Sequence, residues 1–433
     1  MRILMITTGS HGDVHPFLAV GGALMRRGHS ATLLANPVFA ELIESHGLRF
    51  RGVGERQSLK EQFRANPAVW DPRQAHRSLI TQGIGPLSRP IFEATRDAIL
   101  EDRPDLVVLH NACFAASWAA EEAGVPAAVA LLSPLYWLSR HETLVDARSG
   151  VLKPGSVKRW SIRTFLRPLL DRTIDSTLNS VRRELNLEAR RGWLRATTHG
   201  GVLNLALWSE HFRGPLPDDP ATSTICGFTW HDAILPGAQA NLEDLEAFLA
   251  AGPPPILFSL GTAVVHVAPD FDRVVEEAMR LTESKRAILL TGPGGEEASS
   301  SKHVWRFPYA PFSRVMPQCA AIVHHGGIGT TAQALRAGRP QIVLHTAHDQ
   351  PDNGDRIRRL GVGKSTSLKA ARPAWLAEAI RQVTSEPSFG DRAEELARLI
   401  RAERDGAEVA ADAIDQFLRA TRAAQRAPSA PTS

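Results

Sequence analysis

The chain contains only three cysteines among its 433 residues, and they lie far apart. Cys113, Cys226 and Cys319 form no CxxC pair and no even-numbered set. This pattern argues against a disulfide framework and against a structural zinc site. Sparing use of cysteine is typical of a protein from a reducing compartment, so we expect a cytoplasmic protein.

Three further absences narrow the function. The 50 basic residues nearly balance the 46 acidic ones, and a net charge of +4 is too small to indicate nucleic acid as the main partner. No uninterrupted apolar run has the length of a membrane-spanning helix, and the N-terminal "MRILMITTGSHGD" has no signal-peptide cleavage region. No HExxH, DxD or clustered Cys/His set offers metal-ligand spacing. We therefore expect neither a transmembrane helix nor a bound metal ion.

A repeated strand–turn–helix pattern runs along the chain. "RILMIT" predicts a strand, "GSHGDVHP" a turn and "FLAVGGALMRRGH" an amphipathic helix, and "ATLLA" predicts the next strand. Similar units recur after the break "AGPPP" at residues 251–255. The βαβ order implies right-handed crossovers and a parallel sheet. We predict an α/β protein of two Rossmann-like, doubly wound domains that face a central cleft.

Composition suggests the domain boundaries. The region around residues 214–252 is rich in Pro, Gly, Asp and Asn, as linkers are. We predict a first domain over 1–230, a linker over 231–252 and a second domain over 253–405. Residues 406–422 are expected to form a C-terminal helix that packs back on the first domain, and residues 423–433 a disordered tail.

One motif points to phosphate chemistry. In "VHHGGIGTTAQALRAGRP", residues 323–340, an apolar strand leads through three glycines into a helix. Bare backbone N–H groups at the positive end of a helix bind phosphate, and glycines allow a close approach. A histidine beside such a loop can hydrogen-bond a diphosphate and stabilise its charge as it leaves. A simple strand–helix turn with two incidental histidines would carry the same glycines, so this motif alone leaves both interpretations open.

Four separate segments make the chain resemble one family. They are "TTGSHGDVHPFLAVGGALMRRGH", "LFSLGT", "YAPFSRVMPQCAAIVHHGGIGTTAQALRAGRP" and "HTAHDQPDNGDRIRRLGVG". With them the chain resembles GT-B fold, nucleotide-sugar-dependent glycosyltransferases of the UDP-glycosyltransferase superfamily, nearest to the bacterial macrolide, sterol-type and rhamnolipid-type branch. The resemblance implies transfer of a hexose from a UDP- or dTDP-sugar to an acceptor hydroxyl, with inversion at the anomeric carbon and without a metal.

The resemblance also implies a donor site, whose residues would be Gly12, Thr262, Tyr309, His325, Gly327, Gly329, Thr330, Gln333, Asp349 and Gln350. His325 matches the histidine that binds the diphosphate, and Asp349 and Gln350 match the pair that hydrogen-bonds the sugar. Tyr309 stands where the family stacks a ring on the base. Gln333 replaces the usual glutamate on the ribose, and an amide oxygen accepts those bonds more weakly than a carboxylate does.

His11, in the first turn, matches the family's general base, which takes the proton of the acceptor hydroxyl. The family usually orients this histidine with an aspartate after a later strand, and the matching position here holds Asn111. An amide can orient the ring but cannot offset an imidazolium charge. Asp13 remains open as an alternative catalytic base or as a support for the turn.

The acceptor is expected to be a hydrophobic small molecule or lipid. Insertions of the first domain carry Trp70, Tyr136 and Trp137, which we expect to line an apolar acceptor pocket. Residues 151–200 hold 11 basic residues against four acidic ones, a net charge of +7. This segment is either a solvated helix face over the core or a surface that contacts lipid headgroups at the inner face of the membrane.

Other functions on this type of fold remain as alternatives. A catalytically inert homologue that activates a partner would be expected to lose His11, His325 or the pair Asp349 and Gln350. A sugar-nucleotide epimerase would act on the donor without any acceptor. A nicotinamide-dependent oxidoreductase would carry GxGxxG after its first strand, and "TTGSHGDVHP" lacks that spacing.

Overall fold

A computed structural model describes residues 1–56, 61, 66–146, 148–231, 239–282, 286–292, 299–301 and 303–426. Its strands are β1 (Arg2–Ile6), β2 (Ser30–Ala35), β3 (Arg49–Gly52), β4 (Leu106–His110), β5 (Ala127–Leu131), β6 (Leu144–Asp146), β7 (Gly150–Leu152), β8 (Asn204–Ala206), β9 (Ser223–Ile225), β10 (Ile256–Ser259), β11 (Ala287–Leu290), β12 (Ser299–Ser300), β13 (Val304–Phe307), β14 (Ala321–His324), β15 (Gln341–His345) and β16 (Gly363–Ser367).

The longer helices are His11–Arg26, Gly85–Asp102, Phe114–Glu122, Arg167–Glu184, Gln239–Ala250, Phe271–Leu281, Ile328–Ala337, Gln350–Arg359, Pro373–Ser385, Pro387–Ala402 and Gly406–Arg426. Short α-helical turns are Ala40–Ser45, Ala75–Ser78, Val157–Ser161, Trp193–His199, Gly261–Val264 and Phe312–Val315. Turns of 3-10 helix are Pro37–Phe39, Pro67–Trp70, Pro134–Trp137, Val265–Val267, Met316–Gln318 and Leu368–Ala370. Two π-helical turns are Leu79–Ile84 and Ile162–Leu166.

Two seven-stranded sheets form the two domains. The first has the strand order β3-β2-β1-β4-β5-β8-β9, and its neighbouring strands are all parallel. The second has the order β12-β13-β11-β10-β14-β15-β16 and is parallel except for the edge strand β12. The predicted α/β architecture of two doubly wound domains is confirmed.

Each sheet has one point where the strand order reverses. In the first sheet it lies between β1 and β4, and in the second between β10 and β14. The helices that follow β1 and β4 then cover opposite faces of the sheet and leave a crevice at the carboxyl ends of these strands. The segments after β1, β4, β10 and β14 are therefore the ones placed to bind ligands.

The predicted linker is wrong over most of its described length. Residues 239–250 of the predicted linker 231–252 form the helix Gln239–Ala250. Leu242, Leu245 and Phe248 recur at helical spacing and are buried on the second sheet beside Ile288. Burial of this apolar stripe stabilises a helix in a segment whose composition suggested a linker. Residues 232–238 lie outside the described part of the chain.

The C-terminal helix, Gly406–Arg426, packs on the first domain. Ala410 and Ile414 are buried in that domain's core. Arg27 of the first domain also holds the helix, since its guanidinium donates to carboxylate oxygens of both Glu408 and Asp412. The helix continues four residues into the segment predicted as a disordered tail, and residues 427–433 lie outside the described residues.

Among the helices of the described ranges, none combines the length and the apolar composition that crossing a bilayer requires.

Candidate active site

A cavity of about 900 Å³ lies between the two domains at the carboxyl ends of their strands. The first domain lines it with residues 8–13 after β1 and with His110 at the end of β4. The second domain lines it with Gly261 after β10 and with His325 and Gly327 after β14. Both reversal points thus face a single space.

Most of the predicted site residues line this cavity, namely His11, Gly12, Asp13, Trp70, Tyr136, Thr262, Tyr309, His325, Gly327, Gly329, Thr330, Gln333, Asp349 and Gln350. Asn111 and Trp137 do not line it. The structure therefore brings together residues from seven separate segments of the sequence, and it leaves two predicted residues outside.

The loop after β14 holds His325 in a narrow slot between two glycines. A Cβ at Gly327 would lie 2.3 Å from the Nε2 of His325, and a Cβ at Gly261, where φ is +67°, would lie 2.5 Å from its Cε1. Gly327 is also the N-cap of helix Ile328–Ala337, so the ring stands beside free backbone N–H groups at the positive helix end. Burial lowers the pKa of His325 to about 3, which leaves a neutral ring able to donate one N–H.

His324 has a structural role in the same loop. Its Nδ1 accepts a hydrogen bond from the N–H of Gly326 (3.1 Å), and its Nε2 lies 2.9 Å from the Oε1 of Gln341. The side chain is buried. The two adjacent histidines therefore have different places: His324 shapes the loop and His325 faces the cavity.

Asp349 and Gln350 are held in place by side chains behind them. The Oε1 of Gln350 accepts hydrogen bonds from the N–H of Thr346 (2.9 Å) and from its hydroxyl (2.8 Å). The Oδ2 of Asp349 accepts one from the Nδ2 of Asn353 (2.8 Å). Burial raises the pKa of Asp349 to about 6, and the negative charge of Asp13 contributes to the rise.

Asn353 is a positioning residue that the motif analysis missed. Its Nδ2 also donates to the carbonyl oxygen of Gly326 (2.9 Å), and its Oδ1 lies 3.4 Å from the hydroxyl of Ser133 in the first domain. It therefore connects Asp349, the loop after β14 and the opposite domain. The spacing of four residues from Asp349 at the start of a helix is the signal that could have revealed this contact.

A buried ion network fixes the same helix, Gln350–Arg359, to the first domain. Arg356 pairs with Glu142 of the first domain (2.6 Å) and with Asp352 on its own helix (2.8 Å). The Oδ1 of Asp352 accepts a hydrogen bond from the N–H of Val145 (2.9 Å). Removing one member would leave a buried charge without its partner, which is strongly destabilising.

His11 begins helix His11–Arg26, and Ser10 is the N-cap of that helix. The Oδ2 of Asp13 accepts a hydrogen bond from the N–H of Ser10 (2.7 Å), while the hydroxyl of Ser10 accepts one from the N–H of Gly12 (3.3 Å). This capping box fixes the turn after β1. Asp13 therefore does support the turn, as one of the two predicted alternatives proposed.

The ring of His11 is packed against other rings. Its centroid lies 5.0 Å from that of Phe39 and 5.4 Å from that of His15, both in edge arrangements. Burial lowers the pKa of His11 to about 4. The ring is consequently neutral near pH 7, the state in which it can accept a proton.

The predicted contact between His11 and Asn111 is absent. Within the described residues, neither the Nδ1 of His11 nor the Oδ1 of Asn111 has a hydrogen-bond partner. The preceding residue, His110, faces the cavity instead, and its Nε2 lies 4.0 Å from the Oδ1 of Asp13. Successive side chains at a strand end point to opposite sides, so an offset of one residue decides which one reaches the site.

The first-domain wall is mainly apolar. Leu79 and Ile84 line it from the π-helical turn, and Leu87 and Ile91 from the helix that follows. Tyr136 lines the wall as predicted, and burial raises the pKa of its hydroxyl. No motif in the sequence marks these aliphatic residues as part of a site.

Trp137, by contrast, is a core residue. It is buried, with its ring 4.7 Å from that of Trp208 and under the guanidinium of Arg213. Trp137 follows Tyr136 in a 3-10 turn, where neighbouring side chains point in different directions. The two side chains therefore cannot both face the cavity, and Tyr136 is the one that does. Trp70 does line the cavity, and its ring centroid lies 5.2 Å from that of His348 in the second domain.

One group of possible metal ligands occurs among the described residues, and it lies away from this cavity. Glu210, His211 and Glu403 bring their ligand atoms within 4.8 Å of one another. None of the three lines the cavity.

Comparison with known proteins identifies both halves of the chain. The model of the glycosyltransferase family 28 N-terminal domain matches residues 3–130, and that of the erythromycin biosynthesis protein CIII-like C-terminal domain matches residues 296–416. O-mycaminosyltylonolide 6-deoxyallosyltransferase of Streptomyces fradiae is 30% identical over 440 residues, which cover 96% of this chain and 97% of that protein. Sterol 3-beta-glucosyltransferase UGT80A2 of Arabidopsis thaliana is 26% identical over 84% of this chain and 58% of its own length.

Solved structures share the fold. CalG4, the calicheamicin glycosyltransferase, superposes with a TM-score of 0.70 at 19% identity and covers 99% of both chains. Glycosyltransferase VinC in complex with dTDP has a TM-score of 0.63 at 18% identity and covers 97% of this chain and 100% of its own.

Proposed function

The chain belongs to the GT-B UDP-glycosyltransferase superfamily and is a glycosyltransferase, and from this membership we propose that it moves a hexose from a UDP- or dTDP-sugar to a hydroxyl of a hydrophobic acceptor, with inversion. One observation carries the proposal. His11 of the first domain and His325, Asp349 and Gln350 of the second line the same cavity. That arrangement would provide a proton acceptor from one domain and a diphosphate site from the other.

The second domain would hold the donor. The diphosphate would lie at the N-terminus of helix Ile328–Ala337, beside the ring of His325 and the hydroxyls of Thr262 and Thr330. Tyr309 would stack on the base and Gln333 would bond the ribose. The dTDP bound in VinC is consistent with a nucleoside diphosphate in this site.

The reaction would be a single displacement at the anomeric carbon. His11 takes the proton of the acceptor hydroxyl as its oxygen bonds to that carbon, and the bond from the carbon to the diphosphate oxygen breaks on the opposite face. The leaving diphosphate keeps the electron pair, and the helix terminus and the N–H of His325 stabilise its charge. Asp13, which is fixed by Ser10 and lies near His110, would support this turn, and it is the alternative base.

The proposal includes catalysis without a metal ion, because the groups beside the expected diphosphate are N–H and hydroxyl donors rather than paired carboxylates. Excess EDTA should leave the transfer rate unchanged. A rate that EDTA abolishes, and that magnesium or manganese restores, would contradict this part of the proposal.

The acceptor would be a hydroxylated apolar molecule such as a polyketide, a sterol or a lipid. The aliphatic wall from Leu79 to Ile91, with Tyr136 and Trp70, supports this assignment, since burying apolar surface stabilises a complex by about 25 cal/mol per Å². Relatives named for a tylonolide and for a sterol point to the same chemical class. The three buried, unpaired cysteines fit work in the reducing cytoplasm.

A donor and acceptor panel tests the function. Nucleotide sugars are first ranked by the rise in melting temperature that each produces, because a bound donor stabilises the fold. The best donor is then incubated with apolar alcohols and with free sugars, and the anomeric configuration of any product is read by NMR. We expect an inverted product with the apolar alcohols. Conversion of the donor without an acceptor would indicate an epimerase or hydrolase, and no conversion despite donor binding would indicate an inert homologue.

A further inference from the structure

The segment 153–172 of the first domain exposes an unusual number of large apolar side chains. Val157 is 80% exposed, Trp160 60%, Phe165 62% and Leu169 55%. They lie within 13 residues, on the helical turns Val157–Ser161 and Ile162–Leu166 and the start of helix Arg167–Glu184. Large apolar side chains that cluster on a surface mark a site of interaction.

A π-helical turn brings the rings of Trp160 and Phe165 into contact. Trp160 and Phe165 are five residues apart, a spacing that places side chains on different faces of an α-helix. The turn Ile162–Leu166 has i→i+5 hydrogen bonding, which rotates the chain less per residue. The two ring centroids lie 5.8 Å apart in an edge arrangement, so the rings form one exposed aromatic patch.

Four exposed cations accompany this patch. Lys153, Lys158, Arg163 and Arg172 are all exposed, and in the described part of the chain none has a carboxylate within 4.0 Å. Arg167, by comparison, lies 3.7 Å from Asp171. The segment therefore presents unneutralised positive charge around exposed aromatic rings.

We propose that residues 153–172 form a membrane-docking surface that lies on anionic lipid. Trp160 and Phe165 would enter the interfacial layer, where aromatic rings are favoured, and the four cations would contact lipid phosphates. Charge complementarity selects this occupant. A symmetric contact between two copies of the chain would place the same four cations against one another, which is unfavourable.

Two packing contacts connect this surface with the apolar wall of the active-site cavity. Ile162 packs on Leu135, Leu144 and Leu152, next to the cavity residue Tyr136. Helix Arg167–Glu184 contacts the π-helical turn Leu79–Ile84, which lines the cavity. Docking would hold this wall against the layer in which apolar acceptors collect. The docking itself does not rest on the proposed reaction, and it is measured without turnover.

Vesicle sedimentation of the full chain tests the proposal. The probes are vesicles of phosphatidylcholine alone and vesicles that also contain phosphatidylglycerol, at about 0.1 M and about 1 M salt, where the Debye length falls from about 10 Å to about 3 Å. We expect binding to the anionic vesicles at low salt and its loss at high salt. Lys153→Glu with Lys158→Glu and Arg163→Glu should weaken binding by at least about 100-fold, since each cation near an anionic surface contributes about fivefold and each new carboxylate is repelled by it.

Two aromatic variants and two controls distinguish docking through this surface from non-specific binding to vesicles. Trp160→Ser with Phe165→Ser should weaken vesicle binding at least about tenfold. Trp160→Phe should retain binding but lose part of the quenching of tryptophan fluorescence by brominated acyl chains. Leu100→Ser and Arg398→Glu remove an exposed apolar side chain and an exposed cation elsewhere, and they should bind as the unaltered chain does.

The inference is overturned by any of three results. These are absence of binding to anionic vesicles, binding that the aromatic and charge variants leave unchanged, and self-association through this surface in sedimentation velocity that the aromatic variants abolish while no vesicle binding occurs. Equal melting temperatures of the variants would confirm that a loss of binding is not a loss of fold.

Discussion

The two halves of the cavity are built in opposite ways. The predicted donor residues of the second domain come from short segments that follow β10, β13, β14 and β15, and His325 and Asp349 among them are held by close glycine contacts or by a buried hydrogen bond. The first-domain half is mainly apolar and collects side chains from segments as distant as residues 8–13 and 228–231. A diphosphate and a sugar require donors at fixed positions, whereas an apolar acceptor requires only area. The donor half is therefore expected to tolerate far less change.

His11 is one of several polar groups in the first-domain half, and it is the group that we propose as the base. His11→Ala should lower turnover by about 100-fold or more, the scale of general-base catalysis, while donor affinity stays nearly constant. Asp13→Asn should lower it less, because the aspartate mainly caps the helix. Steady-state kinetics with saturating donor measure both. An inactive Asp13→Asn beside an active His11→Ala would transfer the role of base to Asp13.

Gly327→Ala, which adds one methyl group, tests how tightly the second-domain half of the cavity (the donor half) is packed. In Gly327→Ala the new Cβ would lie 2.3 Å from the Nε2 of His325, so the ring must move. Misplacement of a catalytic group by about 1 Å reduces rates by up to about 100-fold, and we expect kcat/KM for the donor to fall by about tenfold to 100-fold. Gly390→Ala, where a Cβ meets open space, is the matched control. Unchanged kinetics in Gly327→Ala would mean that His325 does not bind the donor in this position.

Asn353→Ala tests whether Asp349 needs the hydrogen bond from Asn353 in order to bind the donor sugar. Asn353→Ala removes the donor to Asp349 Oδ2 and leaves buried polar atoms without partners, which corresponds to about tenfold in donor KM. Affinity for the free nucleoside diphosphate should fall less, because the proposed diphosphate site at the helix terminus loses only the bond from Asn353 to the carbonyl oxygen of Gly326. Calorimetry with the nucleoside diphosphate is the control. Equal losses for the sugar nucleotide and the free diphosphate would assign Asn353 to the fold rather than to the sugar.

The two halves should also titrate at different pH values. Burial raises the pKa of Asp349 to about 6, so its carboxylate takes up a proton as the pH falls through that value and becomes a weaker acceptor for sugar hydroxyls. Burial lowers the pKa of His11 to about 4, so the base stays neutral until the pH nears that value. We expect kcat/KM for the donor to fall about tenfold from pH 7 to pH 5 while kcat at saturating donor changes little. Parallel decline of both parameters near pH 6 would contradict the separation, and melting temperatures at each pH would exclude unfolding.

The smallest effect is expected in the apolar wall. Leu87→Ala removes part of a partly exposed cavity residue and should raise acceptor KM by about fivefold without altering donor KM. Leu100→Ala, on an exposed face of the same helix, is the control. A change in donor KM in Leu87→Ala would break the division between the two halves.

Sequence motifs predict the donor half better than the acceptor half, for a physical reason. A strand, a glycine turn and a helix start are local features, and each predicted donor residue lines the cavity. In the first domain, Asn111 does not contact His11 and Trp137 does not line the cavity as predicted, because side-chain direction there depends on the end of β4 and on a 3-10 turn. Residue spacing in the sequence predicts neither of these two side-chain directions.

Tertiary contacts explain the remaining differences. The helix Gln239–Ala250 forms because its apolar stripe is buried on the second sheet, although its surroundings have the composition of a linker. Asn353 acquires its role only when Ser133 and Gly326 come beside it in the folded chain. The two-domain architecture, by comparison, follows from the repeated βαβ order and was predicted correctly.

The proposal that the second domain binds the donor and the first supplies the base is tested most directly by the affinity of two variants for the nucleoside diphosphate. In isothermal titration calorimetry, His325→Ala should bind UDP or dTDP, whichever the unaltered chain prefers, about tenfold or more weakly, because a hydrogen bond to a charged group is lost. His11→Ala should bind it within about twofold of the unaltered chain, although its turnover should fall by about 100-fold or more. Equal losses in both variants, or a larger loss in His11→Ala, would contradict the assignment of the donor to the second domain and of the base to the first.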